Sequence, residues 1–164
     1  MSVTVTSPTV TDLAYLARLM RPDEIEQYMA GTGAAEYDPD EAARLFVATP
    51  GPAFLIVGDD GLPAVAGGFF RVRPGVWEGW QAGTVDGWAK HWRAISRITR
   101  RLNDQMLARP DVHRLQLIAL AGRDKTFEWY ERALGYAHEA VLRRYCANGS
   151  DAVMFVRIKP VQED

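Results

Sequence analysis

The chain has a single cysteine, Cys146, so it can form no internal disulfide, and the sequence suits a reducing, cytoplasmic compartment. Long apolar runs are also missing. The longest, "AFLIV" and "AVAGGFF", fall well short of the roughly 20 residues that cross a bilayer, and "MSVTVTSPTV" lacks the basic start and apolar stretch of a secretory signal. Both features argue against a membrane location. Excess charge of one sign is absent too: 19 basic against 21 acidic residues leave a formal net charge of -2, which argues against nucleic acid as a partner. His91, His113 and His138 are scattered, with no Cys or carboxylate at metal-ligand spacing, so no zinc site is expected. No Gly-x-Ser-x-Gly, P-loop or Gly-x-Gly-x-x-Gly sequence occurs, which removes the common hydrolase, nucleotide-triphosphate and dinucleotide motifs.

What is present is an ordinary globular composition. Hydrophobic residues make up 48% of 164 positions and charged residues 24%, enough to bury the core of one domain spanning residues 1–164. "VTVT" alternates as a strand, and "TVTDLAYLARLM" follows with leucines at helical spacing and Thr11 or Asp12 as its cap. Pro22, with Asp23, Glu24 and Glu26 behind it, opens a second helix that should stop near Gly31. "DPDEAARLFVAT" repeats that pattern, with Asp38 as cap and Pro39 at the first helical position. "AFLIVG", "LPAVAGGFFRVR" and "VWEGWQAG" read as an antiparallel meander, with Gly67 and Gly68 marking a bulge or a close backbone approach. From about Gly87 to Ala108 a helix carries Trp88, Trp92, Ile95, Ile98, Leu102 and Met106 on one stripe, with Asp86 as its expected cap. "HRLQLIALA" is then a strand and "DKTFEWYERALG" a helix closed by Gly135. "YAHEAVLRRYC" and "DAVMFVRI" form a hairpin across "ANGS". The fold class is therefore α/β, a mixed sheet of about seven strands with helices on both faces.

That element order, together with "RDKTFEWYERALGYAHEAVLRRYCANGSDAVMFVRI", resembles the GCN5-related N-acetyltransferase (GNAT) superfamily, best over residues 111 to 158. The resemblance rests on Trp129-Tyr130 and Gly135-Tyr136 and implies transfer of an acetyl group from acetyl-CoA to a small-molecule or protein amine. It also implies a sheet splayed near its middle and a thiolate-protonating role for Tyr130. The sequence departs from the superfamily in two places. Arg123 and Thr126 replace the expected Asn and Ala near the cofactor's arm, and nothing between Thr84 and Arg97 reproduces the Gly-rich phosphate loop. "LMRPDEIEQYMAGTG" and "GTVDGWAKHWRAI" are further similar to GNAT-like proteins of short-tailed phages, some of them internal virion proteins. That likeness implies a bacterial host cytosol or a phage particle, with virion proteins as partners.

Within this frame Glu78, on "VWEGWQAG", is the candidate base for the amine, its acidity lowered if it is buried. Backbone amides from Gln81 to Gly83 would polarise the thioester carbonyl. Lys90, His91 and Arg93, in the first turns of the long helix, would supply side-chain phosphate contacts in place of glycine amides, and Arg123 would stand at the cofactor arm. The rival expectation is a catalytically inactive GNAT-fold protein whose tryptophans fill the cofactor groove.

Overall fold

The computed structural model describes residues 2–161 and contains one seven-stranded sheet in the order β1-β2-β3-β4-β5-β7-β6. The elements run β1 (Thr4–Thr6), α1 (Val10–Arg18), α2 (Pro22–Thr32), α3 (Pro39–Ala48), β2 (Ala53–Val57), β3 (Pro63–Arg73), β4 (Gly75–Gly83), α4 (Val85–Ala108), β5 (Val112–Leu120), α5 (Asp124–Arg132), β6 (Ala137–Leu142) and β7 (Ala152–Ile158). This is the order read from the sequence.

Capping chemistry sets most helix starts. Thr9 caps α1 in a reciprocal box with Asp12, so the cap lies two residues before Thr11. Asp38 caps α3 by accepting from the N–H groups of Asp40 and Glu41. Pro22 begins α2 as expected, but the helix continues past Gly31 and ends at Gly33, whose φ of 73° only glycine adopts without strain. Thr84, not Asp86, caps α4: its buried hydroxyl accepts from Gly87 N–H at 2.9 Å, while Asp86 is exposed. Between β6 and β7 the chain needs residues 143–151 to turn, so "ANGS" is the tip of a longer loop. Gly67 and Gly68 sit in unbroken register, and an added Cβ at Gly68 would lie 2.6 Å from Pro52 O. Close approach is therefore their role.

Strand alternation divides the core between two layers. On one face Leu13 and Leu16 of α1 pack with Leu55, Ala66, Phe46 and Trp80. On the other, Phe69, Trp77, Leu115, Leu117 and Phe155 pack against Met106 of α4 and Phe127 and Tyr130 of α5. Leu16, Leu55, Ile56, Ile95, Leu115 and Phe155 are fully buried. Each such side chain contributes about 1.5–3 kcal/mol relative to exposure.

Trp92 does not lie on the buried stripe expected of α4: it is 53% exposed, with the Arg93 guanidinium 5.2 Å from its ring centroid. The buried line is Gly87, His91, Ile95, Thr99, Asn103 and Met106. Gly87 packs so closely on Ala64 that an added Cβ would lie 2.5 Å from its Cα, and this contact turns the 87-91-95-99-103 row inward and Trp92 outward.

The feature that creates a site is a split in the sheet. β4 and β5 form the one parallel pair among the described residues, and it runs only from Gly75 to Glu78 against Val112 to Gln116. Beyond it β4 stays paired to β3 as far as Gly83, and β5 to β7 as far as Leu120. The strands thus diverge into a V.

The cap assignment gives a direct test. Thr84→Ala should cost about 1–2 kcal/mol in urea denaturation, and Asp86→Ala less than about 0.5 kcal/mol. The reverse ranking would contradict it.

Candidate active site

The V opens into a cleft of about 570 Å³ that passes through the sheet. On the α2–α3 face its walls include Tyr28, Leu45, Phe46, Glu78 and Trp80, with Tyr145 and Cys146 from the β6–β7 loop. On the α4–α5 face they include Gln81, Trp88, Thr99, Asn103, Trp129 and Tyr130.

Glu78 is half-buried and accepts a 2.8 Å hydrogen bond from Gln116 Nε2. Gln116 is oriented by Arg114, whose Nε donates to its Oε1 at 3.4 Å, and Arg114 in turn pairs with Glu139. Burial pushes the Glu78 carboxyl above its usual range, opposed by the Gln116 bond, so its affinity for a proton is raised as a base requires. Tyr130 lines the cleft from α5, and burial moves its phenol up to about 12, so the hydroxyl keeps its proton at neutral pH.

The gap-facing edges of the two strands are held by side chains of α2. Glu24 Oε2 accepts from Gly83 N–H at 2.8 Å, and its Oε1 accepts from Trp88 Nε1 at 3.3 Å. One helical turn on, Gln27 Oε1 accepts from Leu120 N–H at 3.1 Å, and Gln27 Nε2 donates to Ile118 O at 3.4 Å. Glu24 and Gln27 therefore satisfy β4 and β5 where the ladder between them has stopped. Arg123 ties the same helix down, donating to Asp23 Oδ2 at 2.7 Å and to Gln27 Oε1. Arg21 N–H donates to Gly83 O at 3.1 Å, and the Arg21 guanidinium lies 5.1 Å from the Trp88 ring. Glu24 is buried, and desolvation raises its carboxyl to about 7 against the pull of Gly83 N–H and Arg21.

These contacts sort the expected site residues. Glu78, Gln81, Arg123 and Tyr130 come together around the cleft. Gly83 is at its edge, but its N–H is engaged by Glu24. Strand alternation aims the Gln81 N–H the same way, into the gap. Arg123 reaches the cleft wall with its guanidinium bound to α2. Lys90, His91 and Arg93 do not reach the cleft. Lys90 pairs with Asp60 at 3.7 Å and His91 Nε2 lies 3.6 Å from Asp59, both on the β2–β3 turn, while Arg93 covers Trp92. Helix rotation about the Gly87–Ala64 contact turns them away. The turn also gives His91 the two carboxylate neighbours that sequence spacing lacked, and Asp59, Asp60 and His91 offer ligand atoms within 4.8 Å of one another. The sequence reading missed Glu24 and Gln27, since acids in a first turn and polar residues on a helix carry no mark of burial.

The groove between α4 and α5 is occupied by indoles. Trp88 and Trp129 meet edge to face with centroids 5.1 Å apart, and Trp129 Nε1 donates to Ser96 Oγ at 2.8 Å. Inside the cleft, Gln81 Nε2, Thr99 Oγ1 and Asn103 Nδ2 are buried without hydrogen-bond partners.

No family model and no curated protein matches the chain. Solved structures do. The chain is similar to AAC(6')-Ib in complex with ribostamycin and coenzyme A, at 18% identity and a TM-score of 0.71, covering 97% of this chain and 94% of that one. It is also similar to a variant of SpeG spermidine N-acetyltransferase from Vibrio cholerae, at 12% identity and a TM-score of 0.69, covering 95% and 93%. The fold is that of the GNAT acetyltransferases, and a coenzyme A complex is known for the first of these neighbours. Among the described residues no helix is long and apolar enough to cross a membrane.

Glu24 makes stability depend on pH. With its folded value about 7 against 4.5 unfolded, the native state holds a proton that the unfolded chain has lost between those pH values. Stability from this group should therefore fall as pH rises from about 4.5 to 7, by at most about 3 kcal/mol, and then level off. Glu24→Gln should remove that slope in urea denaturation at pH 5, 6, 7 and 8. An identical slope in both proteins would contradict it.

Proposed function

We propose that the protein transfers an acyl group from an acyl-CoA thioester, acetyl-CoA being the simplest donor, to an amine, with the chemistry in the β4–β5 gap. The observation that carries this reading is the gap itself, flanked by a proton-accepting carboxylate, Glu78, on one face and a protonated phenol, Tyr130, on the other.

Orphaned polar atoms on Gln81, Thr99 and Asn103 suit an amide-bearing arm inside the cleft. The start of α4 offers no glycine cradle for a diphosphate, because Gly87 N–H is taken by Thr84 and Gly83 N–H by Glu24. The cations that line the cleft are instead Arg21, Arg123 and Lys125, and these replace Lys90, His91 and Arg93 as the phosphate-facing set.

In the reaction the bound donor supplies the activated acyl carbon. Glu78, directly or through water, removes the proton that the amine must lose. The Gln81 N–H donates to the carbonyl oxygen as charge develops there. Tyr130 gives its proton to the departing sulfur and regains one from solvent or product. Most of the acceleration would come from holding two reactants in one slot, since a neutral amine is already a competent nucleophile.

A second reading is a protein that keeps the fold without turnover, in the phage-associated or virion role suggested by the two short motifs. It is favoured by the Trp88–Trp129 pair in the α4–α5 groove and by Glu24 on Gly83. The same motifs have a packing explanation: residues 19–33 and 83–95 meet through Glu24, Arg21, Gly83 and Trp88.

Calorimetry with acetyl-CoA separates the two. The transfer reading predicts binding, and Tyr130→Phe should slow turnover about 100-fold or more with donor affinity unchanged. No heat at millimolar acetyl-CoA would remove it and leave the inactive fold.

A further inference from the structure

The acceptor half of the cleft has a composition that selects among amines. Phe46 lies flat on the Trp80 indole, with centroids 5.5 Å apart and planes 4° from parallel, and Tyr28 meets Phe46 edge-on at 6.5 Å. Leu45 and Tyr145, both exposed, extend this apolar wall to the rim. The carboxylates among the cleft residues are Glu24 and Glu78. Both Glu24 oxygens already accept hydrogen bonds, one from Gly83 and one from Trp88. Glu78 accepts one bond, from Gln116 to Oε2, and so is the carboxylate whose other oxygen has no hydrogen bond among the described residues. The cleft's cations are Arg21, Arg123 and Lys125, and the first two share Asp23 as an ion-pair partner.

A buried ammonium needs an anionic or hydrogen-bonding partner, and an unpaired one is costly to desolvate. A cleft with one such carboxylate can pair one ammonium, and a second ammonium there would meet no open anion. Flat aromatic walls beside that carboxylate reward a ring, both by apolar burial and by the attraction of an ammonium to a π face. We propose that the acceptor is a small primary amine with one cationic nitrogen on an aromatic body, an arylalkylamine. The polycations associated with the structural neighbours, spermidine and aminoglycosides, would each present several cationic nitrogens to a cleft that can pair one.

This inference rests on the acyl-transfer reading for its biological meaning, but amine binding can be measured without transfer. Titration calorimetry of 2-phenylethylamine and of spermidine, each with and without desulfo-CoA, should show phenylethylamine binding at least tenfold more tightly. Glu78→Gln should weaken phenylethylamine at least tenfold. Phe46→Leu, which keeps an apolar side chain and so spares the core, should weaken it about fivefold with little effect on spermidine. Equal or tighter spermidine binding, or no phenylethylamine binding in either condition, would overturn the inference, whatever acetyl-CoA does. Failure of acetyl-CoA to bind, with phenylethylamine still preferred, would instead remove the transfer reading and leave the amine site standing.

Discussion

The buried carboxylate of Glu24, held between the last amide of β4 and the Trp88 indole, is the contact on which the site depends. It joins the first turn of α2 to the start of α4 across the open end of the sheet. Without an acceptor there, Gly83 N–H would be a buried orphan at the strand's end, costing about 1–3 kcal/mol. Gln27 does the equivalent for Leu120 and Ile118 on β5. A strand pair that stops at Glu78 and Gln116 can therefore diverge without leaving its edge groups unsatisfied. The gap is a stable feature of the packing.

The same contact sets the terms on which a ligand enters. A donor that used Gly83 N–H would have to displace Glu24, whose near-neutral proton affinity leaves it poised between charged and neutral forms. The Gln81 N–H faces the gap without such a competitor in the described contacts. Glu78 and Tyr130 are arranged differently. Glu78 is steered by a chain running from Glu139 through Arg114 and Gln116, whereas the Tyr130 ring is positioned by packing against Phe155 and Trp129. Polar tethering suits the proposed role of Glu78 as a base whose proton affinity must be set. Ring packing suits the proposed role of Tyr130 as an acid that need only stay protonated.

The fold was legible in the sequence because its punctuation is local. Pro22, Pro39, Asp38 and the tight turns near Asp59–Gly61 and Pro74–Gly75 mark boundaries through backbone chemistry that acts within a few residues. That Glu78 and Tyr130 would face one cleft could be expected for different reasons, one from strand alternation and one from the resemblance. What could not be seen depended on helix rotation. The choice of Thr84 over Asp86 as cap and the outward turn of Trp92 follow from how α4 seats on Ala64, a contact 23 residues away along the chain from Gly87. Lys90, His91 and Arg93 turned away from the cleft for the same reason. Glu24 and Gln27 look like ordinary exposed helix residues until α2 is laid over the split sheet.

Whether the β4–β5 gap holds an acyl donor is decided by a crystal structure of the protein grown with a non-reactive acyl-CoA analogue. Acyl transfer in this gap requires density for the thioester-analogue arm between Gly79–Gly83 and Leu117–Leu120, with its carbonyl on Gln81 N–H and its sulfur position facing the Tyr130 hydroxyl. A gap that holds solvent alone at saturating analogue, with Glu24 still on Gly83 and the Trp88–Trp129 pair unmoved, would contradict it.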